Sequence, residues 1–132
     1  MTTECKEVKT MSDNMYKIEI ITRRESFDDL KSALNAVGVQ GMTVYKVEGC
    51  GAQSGYVTTY RGVKREVQLL PKIKVDVYVS EIPYEKVLEA VREALFTGEV
   101  GDGKVFVTEV CDALRVRTGE RGKDAFRGPC EA

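Results

Sequence analysis

The chain has 132 residues, of which 42% are apolar and 31% are charged, and this is the composition of a single globular domain. Its net charge of −1 excludes a general affinity for nucleic acid or for anionic membranes. No apolar run reaches membrane-spanning length and the first ten residues are polar, so the sequence predicts a cytoplasmic protein.

The first half of the chain predicts a β-α-β unit. Residues 1–14 are polar and aperiodic, which indicates a flexible N-terminal extension. Residues 15–22 alternate and are rich in β-branched side chains, which predicts a strand. Residues 26–38 show apolar side chains at helical spacing, with Ser26 as an N-cap and Gly38 at the end. Residues 42–49 predict a second strand.

The second half repeats this order after a long loop. Residues 50–70 are polar with little periodicity and are expected to form that loop. A strand at 70–80, a helix at 83–98 and a strand at 104–110 follow. A short fifth strand is expected at 113–119, and residues 127–132 form a C-terminal tail.

Two β-α-β halves predict an α+β, ferredoxin-like fold (βαβ-βαβ), whose sheet has one face covered by two helices. Because alternate residues of adjacent strands face opposite sides, five aliphatic residues are not expected to lie all on the helix side: Ile18, Ile20, Val44, Val75 and Val77. Apolar residues on both faces then indicate an oligomer.

The cysteine and histidine content limits the chemistry. The chain has no histidine, which excludes Ser-His and Cys-His nucleophile pairs and most zinc sites. The four cysteines form no C-x-x-C motif, and reduced thiols are favoured over a disulfide. The bridge worth testing joins Cys5 and Cys130, and Cys50, among glycines, is expected to be exposed and reactive.

The segment TGEVGDGKVFV, residues 97–107, looks like a P-loop but is not one. Gly98, Gly103 and Lys104 fit G-x-x-x-x-G-K, yet Val105 stands where Ser or Thr should hold Mg²⁺. The predicted order here is also helix, loop, strand, whereas a P-loop runs strand, loop, helix. The Walker interpretation is therefore rejected.

The same segment nevertheless contains what phosphate binding needs. The glycines of Gly101-Asp102-Gly103 allow successive N–H groups to face one anion, and Lys104 adds a positive charge. Arg115 and Arg117 are two residues apart on the predicted fifth strand, hence on one face, where two guanidiniums can share an anion. Lys72 is a fourth cation; the alternative is that all four are solvated surface charges.

A second glycine-rich segment, GCGAQSG at residues 49–55, follows the second strand. It lacks the spacing and the following helix of a dinucleotide fingerprint. Its glycines still allow close approach of a ligand, and Gln53 offers an amide for ligand or metal contact.

Several of these segments together resemble the PII signal-transduction proteins, without gaps over residues 15–126: GVQGMTVYKVEGCGAQSG, YRG, LPKIKVDVYV, TGEVGDGKVFV and RVRTGERGKDAF. The resemblance implies a ferredoxin-like homotrimer with the sheets facing the threefold axis, in which ATP and ADP compete for clefts between subunits. Residues 50–70 are then the T-loop, the arm that binds a target transporter or enzyme. One subunit is implied to supply Gly49, Gly51, Gln53, Lys72, Gly101, Asp102, Gly103 and Lys104, and its neighbour Met42, Thr43, Arg115 and Arg117.

The resemblance also implies Mg²⁺ on the ATP phosphates and Gln53, and an effector, 2-oxoglutarate, beside Mg-ATP. This chain departs from the family pattern at several points. Arg65 stands at the uridylylated tyrosine and Val63 at the phosphorylated serine, so no covalent modification is expected. Ala52 and Ser54 replace basic residues beside Gln53, and Arg23-Arg24-Glu25 replaces Lys-Pro-Phe.

These departures favour a sensor of adenine nucleotides, with 2-oxoglutarate or another small anion such as bicarbonate left open as a second ligand. A slow Mg-dependent ATPase is the enzymatic alternative, with Asp76, Asp102 or Glu120 as base. A purely structural trimer is a third interpretation. The target protein is not indicated by the sequence.

Overall fold

The structure is a computed structural model of the full chain, and it describes residues 14–50, 57–60, 63–66 and 69–126. Several expectations therefore concern residues outside these ranges. They are the N-terminal extension apart from Asn14, the tail at 127–132, Gly51, Ala52, Gln53 and Ser54, and the suggested Cys5–Cys130 bridge.

Six strands and three helices follow one another along the described chain. They are β1 Tyr16–Arg23, a 3₁₀ turn Arg24–Ser26, α1 Phe27–Ala36, β2 Thr43–Gly49, β3 Val57–Tyr60, β4 Val63–Glu66, β5 Leu70–Val79, α2 Tyr84–Leu95, β6 Lys104–Glu109 and α3 Lys123–Phe126. The predicted β-α-β repeat is confirmed.

Four of the strands form one antiparallel sheet in the order β2-β5-β1-β6. The two long strands β1 and β5 lie in the centre, paired from Tyr16 with Val79 to Arg23 with Lys72. This order, with α1 and α2 on one face, is the ferredoxin-like arrangement that the sequence predicts.

The core lies between the sheet and the two helices. Leu30 and Leu34 of α1 are one turn apart and completely buried, as are Val87 and Val91 of α2, so each helix presents an apolar stripe to the sheet. The strands contribute alternate residues, among them Ile73, Val75, Val77 and Val79 of β5, as predicted.

The expectation that the strand aliphatics occupy both faces is wrong. Ile18 is opposite Val77, and Val75 is opposite both Ile20 and Val44. Directly paired residues of antiparallel strands point to the same face, so all five lie on the helix side. The register, which sequence alternation does not provide, decides this.

The opposite side of the sheet, here called the open face, carries charges instead. Lys17 and Glu19 of β1 lie beside Lys74 and Asp76 of β5, with nitrogen–oxygen distances of 3.6 to 4.0 Å. Three aromatic side chains, about half exposed, share this face: Tyr45, Tyr78 and Phe106. Because the open face is not aliphatic, the prediction of an oligomer from two apolar faces loses its basis.

Local predictions fail at three places. Strands β3 and β4 pair with each other, Tyr60 opposite Val63, inside the stretch expected to be irregular. Residues 113–119 form no strand; an isolated bridge joins Leu114 to Arg121 around a turn, because the chain folds back on itself there. Ser26 makes no capping hydrogen bond, since the 3₁₀ turn leads directly into α1.

The cysteines are only partly as expected. Cys50 is free and exposed, as predicted. Cys111 is disulfide-bonded, so the expectation of four reduced thiols is wrong. Spacing along a chain does not show which cysteines a fold brings together.

Candidate functional site

The segment between α2 and β6 is folded around its own carboxylate. Residues 96–103, here called the Asp102 loop, place Asp102 so that its Oδ2 accepts hydrogen bonds from the amides of Thr97 and Gly98, at 2.8 and 2.9 Å. Oδ1 accepts from the Thr97 hydroxyl and, at 2.9 Å, from Nη2 of Arg23. These bonds, those from Thr97 foremost, hold the pKa of the Asp102 carboxyl far below its usual range.

The Asp102 loop is fastened to the end of β1 by close backbone contact. Gly103 has a φ of +118°, and a Cβ at this position would lie 2.2 Å from the carbonyl oxygen of Ile21. The hydroxyl of Thr22, which is completely buried, donates to the Asp102 carbonyl at 2.9 Å. Only glycine allows both the dihedral and the approach, so Gly103 fixes where β6 begins.

The cluster of amides predicted at 101–103 is arranged differently. The Asp102 amide donates to the Glu99 carbonyl at 3.4 Å, and the two amides that face an anion belong to Thr97 and Gly98. The anion they bind is the Asp102 carboxylate. Direct binding of phosphate by Gly101, Asp102 and Gly103 stays a prediction.

Two of the predicted cations lie at the same end of the sheet as this loop. Lys104 is the first residue of β6 and is paired with Ile21, whereas Lys72 on β5 is paired with Arg23. Ile21 and Arg23 are two residues apart on β1, so all these side chains belong to the open face. Gly49 also lies at this end, at the last pair of β2 with β5.

The two predicted arginines do not form a pair on a strand. The guanidinium of Arg115 is turned inward, where it donates to Glu120 Oε1 at 2.9 Å and to the carbonyls of Asp124 and Ala125 at 3.3 and 3.2 Å. Arg117 is exposed in the turn that follows. The argument that both guanidiniums share one strand face is therefore wrong.

Arg115 instead lines a cavity with two other predicted residues. This cavity has a volume of about 1210 Å³ and lies where β2 begins, beside Met42 and Thr43. Asp76 and Ser80 line it too, and neither Asp76 Oδ1 nor Ser80 Oγ, both buried, has a hydrogen-bond partner within the described residues.

The structure thus separates the described site residues into two groups. One gathers at the Asp102 loop: Gly49, Lys72, Gly101, Asp102, Gly103 and Lys104. The other lines the cavity: Met42, Thr43 and Arg115. Arg117 belongs to neither group.

Sequence reasoning overlooked the residues that hold the Asp102 loop in place. Thr22 and Arg23 end a strand some eighty positions before Asp102, and their contacts depend on the pairing of β1 with β6. The one available signal was the unusual arginine pair at 23–24.

No described helix is long and apolar enough to cross a membrane. Within the described ranges, Cys, Asp and Glu form no group of three that could hold a metal ion.

Comparison with known proteins gives consistent results. Residues 15–120 match the model of the family "Nitrogen regulatory protein P-II". "Nitrogen regulatory protein P-II 1" of Methanothermobacter thermautotrophicus is 49% identical over 85% of this chain and 97% of its own, and the "Nitrogen regulatory PII-like protein" of Bacillus subtilis is 42% identical over 88% and 100%.

Solved structures agree. The GlnK–ATP complex of B. subtilis superimposes with a TM-score of 0.72 at 35% identity, covering 88% of this chain and 99% of its own. PII of Arabidopsis thaliana bound to citrate gives 0.68 at 36%, covering 86% and 92%. The family match over most of the chain, together with the ferredoxin-like sheet, shows that this chain belongs to the nitrogen regulatory P-II family of signal-transduction proteins.

Proposed function

We propose that the chain is a cytoplasmic, homotrimeric sensor of ATP and ADP that controls a transporter or a metabolic enzyme through residues 50–70, the T-loop. The observation that carries this proposal is the ordered Asp102 loop with Lys104 and Lys72 at its side. The solved complex of a GlnK with ATP, which shares this fold, supports an adenine nucleotide as the ligand.

The nucleotide is assigned to the cleft between two subunits. One subunit supplies the residues at the Asp102 loop, together with Gly51 and Gln53. Its neighbour supplies Met42, Thr43, Arg115 and Arg117. The separation of the two groups supports this assignment, because a single chain does not bring them together.

The charges suit a polyphosphate. Lys104 is exposed and Lys72 half-buried at the rim of the sheet, where each can approach a phosphate oxygen. The negative charge of Asp102 would oppose this, but its carboxylate is paired with Arg23 at 2.9 Å. Mg²⁺, when bound, would neutralise further phosphate charge and would be held by phosphate oxygens together with the amide oxygen of Gln53.

The signal is a population shift of the T-loop. Ordering some twenty residues costs about 1 kcal/mol each in backbone entropy, so a ligand at the base of the loop can select among its conformations. ATP and ADP differ by one phosphate and favour different conformations. The coupling typical of such systems is about 1–3 kcal/mol.

A small anion acting together with the nucleotide is the second candidate. The citrate-bound structure of the Arabidopsis PII shows a carboxylate ligand on this fold. 2-Oxoglutarate and bicarbonate are the anions to test here.

Catalysis by the carboxylates named above is disfavoured. Asp76 lies 3.8 and 4.0 Å from two lysines, Asp102 accepts four hydrogen bonds, and Glu120 is bonded to Arg115 and Thr118. A base needs an accessible lone pair and a pKa near the working pH, which Asp102 lacks. Slow hydrolysis of ATP would not conflict with a sensor.

Titration calorimetry tests the proposal. Wild type should bind ATP and ADP at one site per subunit, and sedimentation should show a trimer. Lys104→Ala should weaken ATP binding at least tenfold because a charge-assisted contact to phosphate is lost, whereas Lys86→Ala, which removes an exposed lysine of α2, should not change it. Repeating the ATP titrations in the presence of 2-oxoglutarate or bicarbonate shows whether either anion binds together with the nucleotide. A monomer, or unchanged ATP affinity in Lys104→Ala, contradicts the proposal.

A further inference from the structure

We propose that Arg23 and Arg24 are positioning residues that couple the Asp102 loop to Val47 and Lys72, and so transmit phosphate binding to the strand ends that flank the T-loop. This inference rests on the proposed function. It assigns a role to two consecutive arginines at the end of β1, whose side chains bind two separate parts of the site.

Arg23 makes the contact with the Asp102 loop, where phosphate is proposed to bind. Its Nη2 lies 2.9 Å from Asp102 Oδ1, and the two side chains are only 24% and 22% exposed, so solvent screens the pair incompletely. Because Asp102 also binds Thr97 and Gly98, any shift of the Asp102 loop toward a bound phosphate displaces the acceptor of Arg23.

Arg24 makes the contacts with strands β2 and β5. Its Nε donates to the Lys72 carbonyl at 3.3 Å and its Nη2 to the Val47 carbonyl at 3.5 Å. Val47 and Lys72 are direct partners on β2 and β5. One guanidinium therefore joins the last part of β2, before the T-loop, to the first part of β5, after it.

The two arginines are consecutive in the chain, so a backbone movement at one is passed to the other. The planar peptide bond links them, and Arg24 opens the 3₁₀ turn Arg24–Ser26, which leads without a break into α1. Arg23 is extended at the end of β1, with φ of −69° and ψ of 148°. A shift of Asp102 that moves the backbone at Arg23 therefore also moves the backbone of Arg24, from which its donors to Val47 and Lys72 extend.

Amide hydrogen exchange on the full chain, with and without ATP, tests the coupling. In wild type, ATP should slow exchange both in the Asp102 loop and at residues 47–50 and 70–72. In Arg24→Ala, ATP affinity by calorimetry should stay within about threefold and the loop should stay protected, but the ATP-dependent protection of the strand ends should fall at least about fivefold. A merely structural role would speed exchange equally with and without ATP.

Three further variants sharpen the test. Arg24→Lys should recover part of the protection, because an ammonium can still donate to a carbonyl. Lys46→Ala removes an exposed cation from β2 and should behave as wild type. Arg23→Gln should weaken ATP about tenfold and adenosine hardly at all, and its effect on ATP should shrink in an Asp102→Asn background, where no carboxylate needs neutralising.

The inference is overturned if Arg24→Ala keeps the wild-type response of the strand ends, or if Lys46→Ala loses as much of it. It is also overturned if Arg23→Gln weakens adenosine as much as ATP. Failure of the proposed function is recognised separately, because wild type would then show no binding of ATP in calorimetry, and the inference would fall with it.

Discussion

The two faces of the four-stranded sheet are made by neighbouring residues of the same strands, yet they are held together by different forces. On the helix side, Ile18, Ile20, Val75 and Val77 are completely buried among aliphatic side chains. On the open face, Lys17 and Lys74 pair with Glu19 and Asp76. The helix side supplies folding stability by burial, whereas the open face combines ion pairs with half-exposed aromatic residues.

The largest effect on stability should come from truncating Ile20 of β1, and its neighbour Ile21 provides the comparison. Ile20 is completely buried on the helix side, whereas Ile21 lies half-buried on the open face. Ile20→Ala should cost about 3 kcal/mol of unfolding free energy through lost burial and the cavity left behind, and Ile21→Ala less than half of that. Urea unfolding measures both; equal losses would mean that the faces do not differ as described.

Gly103→Ala should come next, because it disturbs the junction between the sheet and the Asp102 loop. The new Cβ would meet the Ile21 carbonyl, and φ is positive, so a loss of about 2 kcal/mol is expected. Gly119 also has a positive φ but nothing within 4 Å of its Cβ position. Gly119→Ala should therefore cost about 1 kcal/mol, from the dihedral alone. Thermal unfolding separates the two, and equal losses would show that the contact at Gly103 is unimportant.

The charged network should give a smaller effect, visible at alkaline pH. Asp76, with lesser help from Tyr78 and Glu19, raises the pKa of Lys17 above 10.5. The stabilisation is complete below the unfolded value of 10.5 and is lost as pH rises through the higher folded value. Asp76→Asn should flatten the fall in urea midpoint above pH 10.5, and Glu19→Gln should flatten it less. A steeper fall in Asp76→Asn would contradict this assignment.

Changes at an exposed aromatic of the open face should affect folding least. Phe106→Ser should change the unfolding free energy of the subunit by less than about 0.5 kcal/mol, because the side chain is 50% exposed. If the open face is the subunit contact, the same variant should dissociate in sedimentation velocity. Val44, which is 43% exposed but lies on the helix side of the sheet, provides the control, and Val44→Ser should leave the assembly intact.

Periodicity and turn residues were sufficient for the four core strands, both long helices and the ferredoxin-like order, because these depend on local pattern. The pairing register between strands could not be read from the sequence, so the prediction about which sheet faces Val44 and Val75 occupy was wrong. Arg115 shows the same limit: its sequence spacing to Arg117 suggested a shared face, whereas a chain reversal turns its guanidinium toward Glu120. Contacts between distant segments, such as Arg23 with Asp102, follow from strand pairing and could not be derived from either segment alone.

The hydrogen bonds that the Asp102 carboxylate accepts have a consequence for ligand binding. By occupying the amides of Thr97 and Gly98, it gives this glycine-rich segment a defined shape before any ligand arrives. The conformational entropy of the segment is thus lost during folding rather than during association, so that more of each later contact is expressed as affinity. Such preorganisation strengthens binding without adding a contact.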